Sequence, residues 1–312
     1  MRMKKTVLLL LVSACLLHAQ TKQTNRALIV AIGDYPEESG WEKIHAVNDC
    51  SLIIPMLITN GYKETDIVVL KDEKATKARI VKAFQSLATK TRPGDYIYIH
   101  LSGHGQQMLD DNGDEDDGLD EAFIPYDAHF RYKPGRYEGE NHLRDDELEQ
   151  LIDAIRLRAG ENGNVTVLLD ACHSGTGTRI PEEDEYIRGT SYIFVTPHHA
   201  TPAADTQNLR LSMRKGNGLS PVTVFSACQP DQLNYEYRSG SRPFVYYGSL
   251  TFFFCELMGD YNVTETNELF YRRLKVNVEN YFGKKNRRQT PYFESTDSNN
   301  NFSIGIRHGY VK

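Results

Sequence analysis

Apolar residues recur along this chain in two rhythms, short unbroken runs and longer stretches at helical spacing. Arg26–Ile32, Tyr96–Leu101, Val165–Leu169 and Val222–Ser226 are runs rich in β-branched and aliphatic residues. A strand covered on both faces has no polar side, so such runs predict the central strands of a parallel sheet. Asp66–Leu70 and Ala122–Tyr126 predict shorter strands, and Phe302–Ile306 predicts the strand that closes the sheet. Helices are predicted over Val47–Asn60, with Leu52, Met56 and Leu57 on one side and Gly61 as its C-cap, and onward from the cap Thr76 through Ile80, Phe84 and Leu87. Three more follow: Asp145–Arg158, buried along Leu148, Leu151, Ile152 and Ile155, then Tyr247–Met258 and Glu265–Phe282. Strand, helix and strand in succession imply right-handed parallel crossovers, hence an α/β fold around a mostly parallel sheet.

Two of these runs end in chemically loaded residues. Tyr96–Leu101 passes into Ser102-Gly103-His104-Gly105, and Val165–Leu169 into Asp170-Ala171-Cys172-His173-Ser174-Gly175. In open α/β sheets ligands bind beyond the carboxyl ends of the strands. Neighbouring parallel strands would place His104 and Cys172 across one crevice. A nucleophilic cysteine needs a base or an imidazolium beside it to reach its thiolate, which makes the pair chemically sensible.

Composition narrows the picture. The 312 residues can bury a full core as one large domain or a domain plus a small appendage, and the formal charge of −6 comes without a basic stripe interleaved with aromatics, so nucleic acid is not an expected partner. Arg2, Lys4 and Lys5 precede the apolar run Val7–Val12, with Leu17-His18-Ala19-Gln20 after it. That reads as a secretory signal peptide over residues 1–19, cut after Ala19, and as an exported chain without a transmembrane helix in its mature form. Lipoprotein processing at Cys15, or an uncleaved N-terminal anchor, are the alternatives. Cys50, Cys228 and Cys255 read as packed thiols, since no spacing suggests a metal clip or a disulfide framework. Asp110–Glu121 holds eight acidic residues in twelve and matches an EF-hand loop at several positions, but Glu115 stands where the turn demands glycine. The stretch is either a solvated acidic loop or part of a calcium site. The connection from Ile180 to Leu219 is rich in Pro, Thr, Asp and Asn, with only a weak strand at Ser191–Val195, and such length points to function or mobility.

With both motifs in order, and Ser226-Ala227-Cys228-Gln229-Pro230-Asp231-Gln232 after them, the chain from about Arg26 onward resembles the metacaspases, caspase-like cysteine peptidases. The resemblance implies a caspase-like αβα sandwich, with a catalytic half to about residue 180, a linker to 219 and a C-terminal half over 220–312. It implies Cys172 as nucleophile, His104 as the histidine that protonates the leaving amine, and the N–H groups of Gly105 and Cys172 as the oxyanion hole. It further implies a pocket for Arg or Lys built from Asp49, Ser102 and Asp170, with Ala46 where the family has a cysteine. Asp120, Asp145 and Asp146 match a calcium site, whose fourth acidic position is taken by Arg179. The expectation is an exported, monomeric cysteine endopeptidase acting on peptides or proteins after Arg or Lys. Calcium would be an activator and not part of the chemistry, and self-processing is expected at Arg188, Arg210, Arg214 or Lys215. A non-catalytic caspase-like interaction module and a calcium-dependent surface-binding protein are the competing readings.

Overall fold

The computed structural model describes residues 23–110, 118–172, 184–196, 213–229, 232–240, 242–259, 265–298 and 300–305. The expected leader, most of the acidic loop, His173 to Gly175 and Arg179 lie outside these residues, as do Arg210 among the expected processing sites and Pro230 and Asp231.

In chain order the elements are β1 (Asn25–Ala31), α1 (Cys50–Thr59), β2 (Ile67–Lys71), α2 (Lys77–Lys90), β3 (Tyr96–Ser102), β4 (Gly105–Leu109), β5 (Leu119–Phe123), β6 (Leu143–Arg144), α3 (Asp145–Ala159), β7 (Asn164–Asp170), β8 (Val222–Ser226), β9 (Glu236–Ser239), β10 (Val245–Gly248), α4 (Ser249–Gly259), α5 (Asn267–Gly283) and β11 (Tyr292–Ser295). The main sheet runs β11-β8-β7-β3-β1-β2, parallel except for β11. A small antiparallel sheet β4-β5-β6 and the hairpin β9-β10 stand beside it.

Alternation along the buried strands divides the core. In β1, Leu28 and Val30 pack with Ile80 and Phe84 of α2 and with Leu148, Ile152 and Ile155 of α3. Ala27, Ile29 and Ala31 face the other way, onto Ile53 and Leu57 of α1, Phe254 of α4 and Phe270 and Leu274 of α5. Both faces of the sheet are therefore covered, which is why its central strands carry no polar side. The architecture is the αβα sandwich with a mostly parallel sheet. Thr266 caps α5, its hydroxyl accepting from the Leu269 N–H at 3.2 Å.

One predicted element is corrected. Among the described residues of the expected closing strand, Phe302 and Ile304 are buried and fill the core against α5 without pairing with the sheet, while Ile306 lies outside the described residues. The edge strand is β11, antiparallel to β8, with Tyr292 opposite Ser226. The predicted helix from Val47 begins only at Cys50, after a tight 3-10 turn over Ala46–Asp49, and Ser191–Val195 gives only an isolated bridge between Phe194 and Met108.

Candidate active site

Strands β3 and β7 are adjacent and parallel, with Ser102 opposite Asp170. Two residues past that pair each chain delivers a functional group, His104 on one side and Cys172 on the other. Gly103 permits the exit from β3, because a Cβ there would press within 2.9 Å of the Tyr35 hydroxyl and 3.1 Å of the Phe123 ring. The Tyr35 hydroxyl accepts from the His104 N–H at 3.1 Å and donates to the Ile124 carbonyl at 2.9 Å, tying the turn to the core. Trp41 stacks on the His104 ring at 4.9 Å.

Both ring nitrogens of His104 are engaged. Nε2 lies 2.8 Å from the Glu42 carbonyl, and Nδ1 lies 3.0 Å from the backbone nitrogen of Gly189. A backbone N–H can only donate, so Nδ1 is the acceptor and Nε2 carries the proton it gives to Glu42. Burial pulls this histidine down to about 4, against the upward pull of its bond to Glu42, and the ring is neutral.

The Cys172 N–H donates to the Arg188 carbonyl at 2.9 Å. Its thiol donates to the Gln232 carbonyl at 3.1 Å, and the Cys228 thiol points at the Cys172 sulfur from 2.9 Å. Cys228 is therefore not a thiol packed elsewhere in the core but a neighbour of Cys172. Gly105 opens β4 opposite Phe123, and the Arg188 carbonyl takes its bond from Cys172 and not from Gly105.

Arg188 organises the rest of the site. Its side chain is fully buried and donates to Asp49 Oδ2 at 2.7 Å, to the Ser102 hydroxyl at 2.7 Å and to Glu236 Oε1 at 3.1 Å. Asp170 completes the surround at 3.6 Å, while its own oxygens accept from Asn234 and from the N–H and hydroxyl of Thr251. Burial opposes the charge on Arg188, but Asp49, Asp170 and Glu236 outweigh it and raise the guanidinium above its ordinary value. Burial likewise opposes ionisation of Glu236, and Arg188 with His45 overcomes this to hold it below the usual carboxylate range. Gly248 makes room for the cluster, since a Cβ there would collide with both the Asp170 carboxylate and the Arg188 guanidinium. Its N–H donates to Asp49 Oδ1 at 2.8 Å.

Backbone pairing fixes the segment that carries Arg188. The Arg188 N–H donates to the Asn234 carbonyl and the Glu236 N–H to the Tyr186 carbonyl, both at 2.9 Å, with Ile187 bridged to Tyr235. The segment thus lies as an added antiparallel strand, the usual way a protein grips an extended peptide. Gly189 follows with a φ of +141°, a conformation glycine alone adopts at ease, and a Cβ there would strike the Cys172 carbonyl. The Arg188–Gly189 peptide bond is left with Cys172 at its carbonyl end and the His104 imidazole at its nitrogen.

The structure thus brings Asp49, Ser102 and Asp170 together around one guanidinium. Glu236 was missed because nothing marks a charged residue at the start of a two-stranded hairpin as the fourth wall of a pocket built from β3, β7 and the turn before α1. Its one trace was position, shortly after the Ser226–Gln232 segment. The expected metal residues are placed differently. Asp120 sits on β5 with one oxygen ion-paired to Arg144, while its other oxygen is buried with no hydrogen-bond partner among the described residues. Asp145 and Asp146 open α3, which packs on β5, and Asp145 accepts from the Asp146 N–H at 3.1 Å. Among the described residues no group of three or more His, Cys, Asp or Glu side chains could hold a metal ion. Among the described residues, then, one Asp120 oxygen is of the kind a cation takes while the other is held by the Arg144 guanidinium.

The family profile described as metacaspase, peptidase C14 domain, matches residues 25–181, the segment that carries both His104 and Cys172. The chain belongs to the metacaspase family. This metacaspase is 31% identical to metacaspase-1A of Neurospora crassa over 57% of its own length and 37% of that protein's. It is 36% identical to metacaspase-1B of Aspergillus fumigatus over 53% and 38% of the two lengths. It therefore spans well under half of the curated relatives it matches. A crystal structure of a Geobacter sulfurreducens protein shares the fold, with a TM-score of 0.58 at 19% identity over 91% of this chain and 100% of that one.

Proposed function

We propose that this metacaspase is a cysteine endopeptidase that cleaves after arginine, and that its first substrate is its own Arg188–Gly189 bond. The observation that carries the reading is the fit of that bond: the arginine in an acidic pocket, its carbonyl on the Cys172 N–H, its following amide on His104 Nδ1. The pocket's donors and acceptors match a planar guanidinium through several oxygens at once, which favours arginine over the point charge of lysine.

The chemistry follows from the placement. The Cys172 thiol gives its proton to His104 Nδ1, and the sulfur bonds to the Arg188 carbonyl carbon. The oxygen gains negative charge against the Cys172 N–H, a donor of a kind worth ~3 kcal/mol to such a transition state. His104 then passes the proton to the Gly189 nitrogen as the C–N bond breaks, leaving a thioester that water hydrolyses. A buried imidazole with a low pKa is a weak base but gives up its proton readily, which suits departure of an amine.

Purified full-length protein should yield a fragment whose N-terminus reads Gly189-Thr190-Ser191, and should hydrolyse arginine reporter peptides. Both activities should vanish in Cys172→Ala. Cleavage after aspartate, or an arginine activity that survives Cys172→Ala, would overturn the reading. Export by the N-terminal leader is a further proposal, supported by its charged and apolar halves. Calcium as an activator rests on the family resemblance and the orphaned Asp120 oxygen, and no chemical step passes through it. A calcium-dependent rise in melting temperature that is lost in Asp120→Asn would support it, and an unchanged melt would remove it.

A further inference from the structure

The docked segment extends beyond the residue that fills the acidic pocket, and its contacts map a longer recognition groove. Counting back from the Arg188–Gly189 bond, Ile187, Tyr186 and Glu185 occupy the second, third and fourth positions. Glu185 meets Arg287 in a paired contact, Nε to Oε1 at 2.9 Å and Nη2 to Oε2 at 2.8 Å. Arg287 is only 8% exposed, its N–H donates to the Phe282 carbonyl past the end of α5, and its guanidinium stands 5.7 Å over the Tyr235 ring. Lys285 and Arg238 line the same cavity of about 270 Å³. One position on, Tyr186 packs edge-on against His45 at 4.4 Å and Tyr246 at 4.9 Å, two rings that stack on each other.

We infer that Arg287 is a specificity-determining residue, and that the enzyme selects substrates with a carboxylate four residues before the cleaved bond and an aromatic residue three before it. This rests on the proposed cleavage after arginine and adds to it a sequence class, acidic–aromatic–aliphatic–arginine. A mostly buried guanidinium with a matched carboxylate gains a charge-assisted pair, whereas a cation facing it meets like charge in a poorly solvated site. The backbone pairing of Tyr186 and Arg188 with residues 234–236 keeps the register, so the fourth side chain of any extended peptide lands at Arg287.

The test uses full-length protein incubated until its fragment pattern is constant, with three reporters that differ only at the fourth position: Glu-Tyr-Ile-Arg, Gln-Tyr-Ile-Arg and Lys-Tyr-Ile-Arg. Wild type should show kcat/KM for the glutamate reporter roughly tenfold to hundredfold above that for the lysine reporter, with glutamine between them. In Arg287→Glu the order should reverse, carried mainly by KM because the reacting atoms are untouched. Equal kcat/KM across the three reporters in wild type would overturn the inference while leaving cleavage after arginine standing. No Cys172-dependent cleavage of any reporter would overturn both. If Arg287→Glu melts early and loses activity, the wild-type series decides alone.

Discussion

Removing the arginine that fills the pocket is the most informative perturbation, and its size can be worked from the contacts. Arg188→Ala in a Cys172→Ala background takes away one guanidinium and leaves Asp49, Asp170 and Glu236 facing each other, all at no more than 6% exposure. Breaking a buried ion pair by deleting one partner costs about 3–5 kcal/mol, because an uncompensated charge stays behind. Two features place the expectation at the lower end. Each carboxylate keeps other donors: Ser102 and Gly248 on Asp49, Asn234 and Thr251 on Asp170, His45 on Glu236. The freed segment can also lift away and admit water. About 3 kcal/mol at about 2 °C per kcal/mol for a chain of this size is a fall in Tm of about 6 °C. A free guanidinium compound such as agmatine should restore part of it, about 2.7 kcal/mol at a hundredfold excess over its Kd. Arg188→Lys should lose less. The assay is thermal unfolding of the intact double variant beside Cys172→Ala, with and without agmatine. Identical melts, and no agmatine shift confined to Arg188→Ala, would refute the claim that this pocket exists to hold a guanidinium.

Three further outcomes are expected. Gly248→Ala should abolish arginine cleavage while the chain still folds, because the new methyl occupies the space of the guanidinium; reporter hydrolysis and circular dichroism check this. Cys228→Ala should lower the rate several-fold and leave KM unchanged, since it removes one donor, worth about 1 kcal/mol, from the Cys172 sulfur; steady-state kinetics on one arginine reporter would expose an unchanged kcat. Stability should fall as pH drops from about 6.5 towards 4. His100 and His104 are both pulled down to about 4 by burial, and His142 to about 3, so the unfolded chain binds more protons in that window and each histidine costs roughly 3 kcal/mol or more by its lower end. Tm measured across that range should decline steadily, and a flat profile would contradict the buried neutral assignments.

The parts of this molecule that rest on continuous apolar runs could be read from sequence. β1, β3, β7 and β8 lie within one or two residues of their expected bounds because a doubly covered strand writes its burial directly into composition. β11 could not be read, since Tyr292-Phe293-Glu294-Ser295 is half-buried at a sheet edge, whereas Phe302 and Ile304 give a stronger apolar signal by filling the core without pairing. β4 was hidden because Gln106 and Gln107 are buried polar residues: Gln106 binds His142, Phe130 and Tyr192 backbone or ring atoms, and Gln107 binds Glu121. At the site, His104 and Cys172 stood out by their place at strand ends. Arg188 was one basic residue among several in a long connection, and Glu236 one acidic residue among many. Arg188 meets Glu236 across 48 residues of chain and Asp49 across 139, and no local pattern encodes that.

The strand-like seating of Glu185 to Arg188 carries a consequence for turnover. If the proposed cut is made, the new end at Arg188 remains the carboxyl end of the tethered 184–188 segment and would compete with every incoming substrate as a ligand that never dilutes. A tether of this length holds its end at an effective concentration on the order of millimolar. A substrate's apparent affinity would then be weakened by the ratio of that effective concentration to the tail's own Kd. Cutting the bond and opening the enzyme would then be two separate events, the second paced by how quickly a short stretch of strand peels from residues 234–236.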